Sequence, residues 1–137
     1  MKKRIFGIET EYGLLVKDNN DNDFRLDPME IANKIKNHIF SKNLGVLDLH
    51  YRANDEPPGN GGFLLNGGRL YLDMGHLEFA SPACSNLVDL IPFDRAGDTL
   101  IQEAVEELVR SEIKLILDDK IRTSPDAIKV FCERANI

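Results

Sequence analysis

Apolar and polar residues alternate along the first stretch of the chain, residues 3–16, in a pattern typical of a strand with one buried face. Ile8 and Tyr12 fall on one side of this strand and are expected in the core. Glu9 and Glu11 fall on the other side, with Cα atoms about 6.6 Å apart. Neighbouring carboxylates repel each other unless solvent or a cation screens them. The pattern therefore leaves both a solvated surface strand and a cation site open.

The same alternation recurs further along, where Arg69, Tyr71 and Asp73 share one face of a predicted strand and two leucines lie on the other. A guanidinium, a phenol and a carboxylate in a row can contact a phosphate, complete a metal shell and exchange a proton. A surface strand with an Arg–Asp cross-pair is the structural alternative. Glu78, on a short strand predicted at 77–80, adds a further carboxylate.

Two other segments have the spacing of helices that bury one face. Asp27 followed by Pro28 is a typical helix start, and the apolar stripe after it continues to about Ser41. A longer stripe predicts a second helix over residues 94–119, packed against the sheet. The stripe residues are Ile31, Ile35, Ile39 and Phe40 in the first helix, and Leu100, Val105, Leu108, Val109, Ile113 and Ile116 in the second.

Glycine-rich segments mark the connections between these elements. Residues 66–68, Asn-Gly-Gly, supply the positive φ angles of a tight hairpin. Residues 54–62 predict a loop in which Gly61 and Gly62 are turn glycines, and further strands are predicted at 44–51 and 127–132.

The order strand, helix, strands, long helix, strand predicts an α+β fold with an antiparallel or mixed sheet and helices on one face. We expect residues 1–137 to form a single domain. Because a strand stands last, we also expect the chain to end within the fold.

Composition narrows the classes of function. The net charge of -6 gives no excess of basic residues for a nucleic acid or an anionic membrane. Cys84 and Cys132 form no disulfide framework, and no secretory signal or apolar run of about 20 residues is present. We expect a cytoplasmic protein with reduced cysteines.

Among the kinds of site considered for this sequence, a site for a hard cation built from carboxylates has the most support. Mg²⁺ takes a few carboxylates and keeps positions for water and phosphates, and Glu9, Glu11, Asp73 and Glu78 could serve if their strands are neighbours. The sequence has no P-loop motif and no zinc-ligand spacing. His76 is the one histidine expected near the carboxylates.

Four segments in the same order resemble the family of Pup ligases and Pup deamidases or depupylases. They are Gly7-Ile8-Glu9-Thr10-Glu11-Tyr12-Gly13, Leu65-Asn66-Gly67-Gly68-Arg69-Leu70-Tyr71-Leu72-Asp73, Glu78-Phe79-Ala80-Ser81 and Phe93-Asp94-Arg95-Ala96-Gly97. The resemblance spans roughly residues 4–100. It implies a carboxylate-amine ligase with a glutamine-synthetase-like fold that uses ATP and Mg²⁺. It also implies that residues 1–137 are the truncated N-terminal portion of a larger catalytic domain, since members of the family are several times longer. The implied partners are a Pup-like modifier, pupylated proteins and the C-terminal part of the same fold.

The resemblance also implies roles for particular residues. Glu9, Tyr71 and Glu78 would be Mg²⁺ ligands, and Asp73 would be the catalytic carboxylate. Arg69 would contact ATP phosphates. Ser81 falls at a nucleotide-contacting position of the ligase branch, and Glu11 would stand beside the metal.

One spacing separates the two branches of this family. The ligase pattern places a glutamate six positions after the catalytic aspartate, and the deamidase pattern places it five positions after. Asp73 and Glu78 are five apart, so the expectation is a hydrolase acting on a Gln amide or a Glu–Lys isopeptide bond. Leu72 and the segment 94–97 resemble the ligase branch, which is the alternative. A truncated, non-catalytic domain that binds a partner protein is the second alternative.

Overall fold

The structure, a computed structural model, describes residues 4–17, 27–51, 57–118 and 129–135. It contains six strands and two helices within those ranges. In chain order they are β1 (Glu9–Lys17), α1 (Pro28–Ser41), β2 (Gly45–Leu47), β3 (Gly61–Leu64), β4 (Arg69–Asp73), β5 (His76–Ala80), α2 (Leu90–Asp118) and β6 (Lys129–Ala135).

The six strands form one sheet in the order β2-β3-β4-β5-β1-β6, and each neighbouring pair is antiparallel. β1 is an interior strand, hydrogen-bonded to β5 on one side and to β6 on the other. Within the described residues, both helices pack on the same face of the sheet. The predicted α+β architecture is confirmed.

The core lies between this helix-covered face and the helices. Leu70, Leu77 and Phe79 of the sheet are fully buried there. The four apolar residues predicted for the first helix are all buried, because their spacing places them on one side of α1. The buried apolar side chains described in α2 are Leu90, Ile101, Ala104 and Val105. Only Val105 of these belongs to the predicted stripe, so the buried side of the helix is rotated slightly from the predicted one.

Leu100, Leu108 and Val109 of the predicted α2 stripe are half-buried at the edge of the core. Ile113 and Ile116 belong to the part of α2 whose side chains lie outside the described residues. The helix itself is continuous and begins at Leu90, four residues before the predicted start, with Pro92 in its first turn. Proline is tolerated there because the first amides of a helix have no partner within it.

Local signals explain the start of α1 and the turns of two hairpins. Asp27 caps α1, and its carboxylate accepts a hydrogen bond from the Met29 amide at 3.0 Å. Gly67, at φ +86°, sits in the predicted turn between β3 and β4. A second, unpredicted two-residue turn at Met74 (φ +45°) and Gly75 (φ +95°) connects β4 directly to β5.

Three local expectations differ from the structure. The strand expected at 44–51 is only three residues long. Gly61 and Gly62 lie in β3 rather than in a turn. An added Cβ at Gly62 would lie 2.7 Å from the Phe40 ring, so close packing is the reason for glycine there. The last strand continues to Ala135, three residues beyond its predicted end, and residues 127 and 128 of the prediction lie outside the described residues.

Neither helix, over the part of the chain that the structure describes, is apolar enough along its length to cross a bilayer. Cys84 is a buried free thiol, hydrogen-bonded to the Pro82 carbonyl at 3.4 Å.

Candidate functional site

The sheet face opposite the helices carries the polar residues that alternate with the core. Across three adjacent strands, Glu11 of β1, Glu78 of β5 and Tyr71 of β4 form one row of directly paired residues. Direct cross-strand neighbours have Cβ atoms about 5 Å apart. Two carboxylates and a phenol that are distant in sequence are therefore close together at the centre of this face.

Two further rows flank the central one. On one side, Ala80 of β5 pairs with both Glu9 and Arg69, so these two charged residues stand on either side of a small side chain. On the other side, Asp73 pairs with His76. We call the residues of these three rows that carry polar groups the polar face. They are Glu9, Glu11, Arg69, Tyr71, Asp73, His76 and Glu78.

Glu78 is the electrostatic centre of the polar face. Only 9% of its surface is exposed, and burial is the main cause that raises its pKa to about 7. The charge of Glu9 and a hydrogen bond with that carboxyl raise it further, as do the charges of Asp73 and Glu11. Glu9 and Glu78 are thus within hydrogen-bonding reach, which is compatible with a shared cation.

His76 lies at the edge of this cluster, in contact with one of its carboxylates. Its Nδ1 contacts a carboxylate oxygen of Glu11, and the imidazole is half exposed. Because His76 also pairs with Asp73, it lies between the carboxylate of β1 and the end of β4. The sequence placed His76 near the site, and the structure shows that Glu11 is its partner.

Arg69 and Tyr71 form a second unit of the polar face. The guanidinium carbon of Arg69 lies 4.6 Å from the centre of the Tyr71 ring, which is cation–π geometry. Gly61 pairs with Tyr71 on the next strand, where an added Cβ would collide with the Cβ of Tyr71, so the glycine allows the two strands to lie close together at this point. The stacked guanidinium is held on the polar face, where it can bind an anion.

Ser81 has a different position from the other predicted site residues. Its hydroxyl accepts a hydrogen bond from the Ile8 amide at 2.9 Å and lies 3.2 Å from the Pro82 carbonyl, to which it donates. Its own amide donates to the Ile8 carbonyl at 2.8 Å. Ser81 therefore joins the segment before β1 to the end of β5.

The donor chemistry of the polar face fits Mg²⁺, because all its central ligand atoms are oxygens and their negative charges are only partly compensated. Within the described residues, no group of three or more His, Cys, Asp or Glu side chains is already gathered as a ligand cluster. Mg²⁺ commonly uses one or two protein carboxylates and fills its shell with water and phosphate oxygens. Glu9 and Glu78 meet that smaller requirement.

Sequence reasoning missed a group on the opposite side of β1. The Thr10 hydroxyl donates to Asp94 of α2 at 3.1 Å, and the Tyr12 hydroxyl donates to Asp98 at 2.9 Å. The available signal was the pair of aspartates four residues apart, flanking Gly97, at the start of an otherwise apolar stripe. Such a pair lies on one face of a helix.

Comparisons with known proteins agree on one family. The family described as "Pup-ligase protein" matches residues 4–127. The Pup--protein ligase of Corynebacterium glutamicum (strain R) is 37% identical over 118 residues, covering 82% of this chain and 21% of that protein. The Pup--protein ligase of Paenarthrobacter aurescens (strain TC1) is 39% identical over 108 residues, covering 78% and 20% respectively.

A solved structure has a similar fold. It is described as the crystal structure of the complex between Prokaryotic Ubiquitin-like Protein Pup and its ligase PafA. The match has a TM-score of 0.64 and 33% sequence identity, and it covers 95% of this chain and 22% of that one. The chain thus spans about a fifth of the length of the relatives that it matches.

Proposed function

This chain belongs to the Pup-ligase family, and we propose that its polar face forms the N-terminal part of an ATP- and Mg²⁺-dependent ligase site. In this proposal the complete site joins a Pup-like modifier to lysine side chains of proteins in the cytoplasm. The observation that carries the proposal is the row Glu11–Glu78–Tyr71, flanked by Arg69 and Asp73, on the side of the sheet away from the helices.

The reaction class follows from the family. A glutamate carboxylate of the modifier attacks the γ-phosphate of ATP, which gives an acyl phosphate and ADP. The lysine amine then attacks the acyl carbon, the C–N bond of the isopeptide forms, and phosphate leaves. We assign to Asp73 the proton that the lysine nitrogen loses, since Asp73 is an exposed carboxylate at the end of β4.

The other residues of the polar face would bind and orient. Glu9, Glu78 and Tyr71 would hold Mg²⁺, which when bound neutralises charge on the phosphates. Arg69 would contact the phosphate oxygens through a guanidinium that Tyr71 already orients. We assign to Ser81 an indirect role, fixing the end of β5 beside the nucleotide, because its hydroxyl is already hydrogen-bonded to two backbone groups.

The hydrolase expected from the five-residue spacing remains a second candidate, but it has less support than the ligase. That spacing corresponds in the structure to the two-residue turn at Met74 and Gly75, which pairs Asp73 with His76 and Tyr71 with Glu78. A turn length alone does not define a reaction. The relatives described above are named as ligases, and their similarity extends over most of this chain.

Two substitutions test the proposal in a polypeptide that carries this sequence within the full length of its relatives. Asp73→Asn should lower the rate of isopeptide formation by a factor of about 100 or more, because Asn cannot accept the proton. It should leave MgATP affinity nearly unchanged. Glu9→Gln should instead weaken MgATP binding about tenfold, since it removes a charged oxygen ligand. Glu103→Gln, at an exposed position of α2, is the matched control.

The measurements are calorimetric titration of MgATP and an assay for joining a Pup-like C-terminus to lysine. Near-normal joining by Asp73→Asn would remove Asp73 from its catalytic role. Release of modifier from conjugates, without joining, would replace the ligase by the hydrolase. Failure of the unmodified protein to bind MgATP would favour the non-catalytic, partner-binding alternative.

A further inference from the structure

The strand that carries Glu9 and Glu11 is held from behind by two hydrogen bonds. Thr10 and Tyr12 lie on the opposite side of β1, and each is only 3% exposed. Their hydroxyls donate to carboxylate oxygens of α2, Thr10 to Asp94 at 3.1 Å and Tyr12 to Asp98 at 2.9 Å. We call these two hydrogen bonds the clasp.

The shape of α2 at this point allows the clasp to form. Asp94, Gly97 and Asp98 lie on the same side of the helix, since residues three and four apart are neighbours on its surface. Gly97 is buried against Phe79, and an added Cβ would lie 2.5 Å from the Phe79 ring. The absence of a side chain at residue 97 lets the helix approach the sheet closely enough for short aspartate side chains to reach β1.

The clasp acts at the residues between the two proposed site glutamates. Thr10 separates Glu9 from Glu11 in sequence, and Tyr12 follows directly after Glu11. Because successive side chains of a strand project to opposite faces, the hydroxyls on one face and the carboxylates on the other move with the same backbone. A hydrogen bond fixes position along and across the strand, whereas apolar contacts between β1 and the helices are non-directional.

We propose that Asp94 and Asp98 are positioning residues, which hold β1 at the height and register that place Glu9 and Glu11 for cation binding. This inference rests on the proposed function, because the polar face must bind a divalent cation for the positioning to matter. It assigns to two α2 carboxylates a role in a site on the far side of the sheet.

The first test measures binding of Mn²⁺, a spectroscopic substitute for Mg²⁺, to the 137-residue chain by electron paramagnetic resonance. Thr10→Val and Tyr12→Phe each remove one hydroxyl while keeping the shape of the side chain. Each variant should bind Mn²⁺ about tenfold more weakly, at the low end for groups that orient metal ligands. Thr99→Val is the matched control, because the Thr99 hydroxyl donates within α2 to the Arg95 carbonyl at 2.9 Å. It should bind Mn²⁺ as the unmodified chain does.

A second pair of variants separates hydrogen bonding from charge. Asp98→Asn keeps an oxygen that can accept from Tyr12, and it should retain the affinity that Asp98→Ala loses. Equal losses in both variants would show that the charge of Asp98, which also pairs with Arg95 at 3.6 Å, matters rather than its hydrogen bond with Tyr12, and this would overturn the positioning role. Unchanged Mn²⁺ affinity in Thr10→Val and Tyr12→Phe would also overturn it.

Amide hydrogen exchange keeps the two proposals distinguishable. If the unmodified chain binds no Mn²⁺, the proposed cation site of this chain fails, and exchange at the Glu9 and Glu11 amides then decides the clasp. Faster exchange at these amides in Tyr12→Phe, with unchanged exchange in the α1 core, supports the clasp. Unchanged exchange throughout rejects it.

Discussion

At the scale of single residues, Glu78 is a buried carboxyl whose negative charge lowers the stability of the folded chain. A carboxyl with 9% exposure, next to three other carboxylates, is an unfavourable place for a negative charge, and its pKa rises to about 7 accordingly. Such perturbed groups cluster at functional sites. A Leu or Gln at this position would serve the sheet better, which favours the proposed chemical role for the glutamate.

The effect of Glu78 on stability should depend on pH. The ordinary pKa of 4.5 is raised in the folded chain, so folding is favoured by proton binding. This contribution is fully present below pH 4.5 and is lost as the pH rises through about 7. Glu78→Gln should therefore stabilise the metal-free chain at pH 8 by up to about 3 kcal/mol and leave it unchanged at about pH 4.

Urea unfolding at the two pH values measures this difference. Glu103→Gln, on the exposed side of α2, provides the control for loss of a glutamate charge. A Glu78→Gln variant that is less stable than the unmodified chain at the higher pH would contradict the prediction.

At the scale of elements, the packing of α2 against the β4–β5 hairpin affects the position of residues on the polar face. Phe79 of β5 fills the space between two glycines, Gly97 of α2 and Gly68 immediately before β4. The same strand presents Glu78 to the polar face. Packing on the helix side therefore sets where the carboxylate row stands, through one strand with two different faces.

Gly97→Ala tests this close packing. Alanine favours a helix over glycine by about 1 kcal/mol, so propensity alone predicts a more stable chain. We expect the opposite, a loss of about 1–3 kcal/mol, because the new methyl group overlaps the Phe79 ring and forces the core apart.

Thermal and urea unfolding report the sign of the effect. Ala96→Gly, one residue away on the exposed side of α2, should cost only the propensity difference of about 1 kcal/mol. Phe79→Leu should relieve part of the loss in the Gly97→Ala background. A stabilised Gly97→Ala chain would show that α2 has room to move away without cost.

At the scale of the whole molecule, the described residues form a sheet with the two helices on one side and the polar face on the other. The helices bury the apolar side, and the polar face concentrates four of the carboxylates of a chain whose net charge is -6. A cation on the polar face would relieve repulsion among the carboxylates that the fold brings together. The chain should therefore be stabilised by the ion that its site is proposed to bind.

Magnesium should raise the melting temperature of the 137-residue chain by mass action, because the ion binds the folded form. The increase should be larger at pH 8 than at pH 6, since protons compete with the ion for Glu78, whose pKa is about 7. Calorimetric scans with MgCl₂ and with NaCl at the same ionic strength separate binding from screening. Glu9→Gln should reduce the magnesium effect, and an equal effect in that variant would exclude Glu9 as a ligand.

The sequence by itself determined the faces of the elements. Alternation in β1 and β4 predicted which side chains share a face, and the spacing of Ile31, Ile35 and Ile39 predicted the buried side of α1. The Asp27 cap and the Asn-Gly turn marked the ends of elements. These features depend on residues near one another in the chain, where the strand and helix periods apply directly. The four family segments are local in the same sense, because each is a short run of consecutive residues.

Only the tertiary structure decided which faces meet. The two-residue turn at Met74 and Gly75 pairs Tyr71 with Glu78, and the antiparallel register of β1 then adds Glu11 to that row. The clasp and the raised pKa of Glu78 arise from residues far apart in sequence that share one buried environment. Register and desolvation depend on distances between elements, and local periodicity contains no information about those distances.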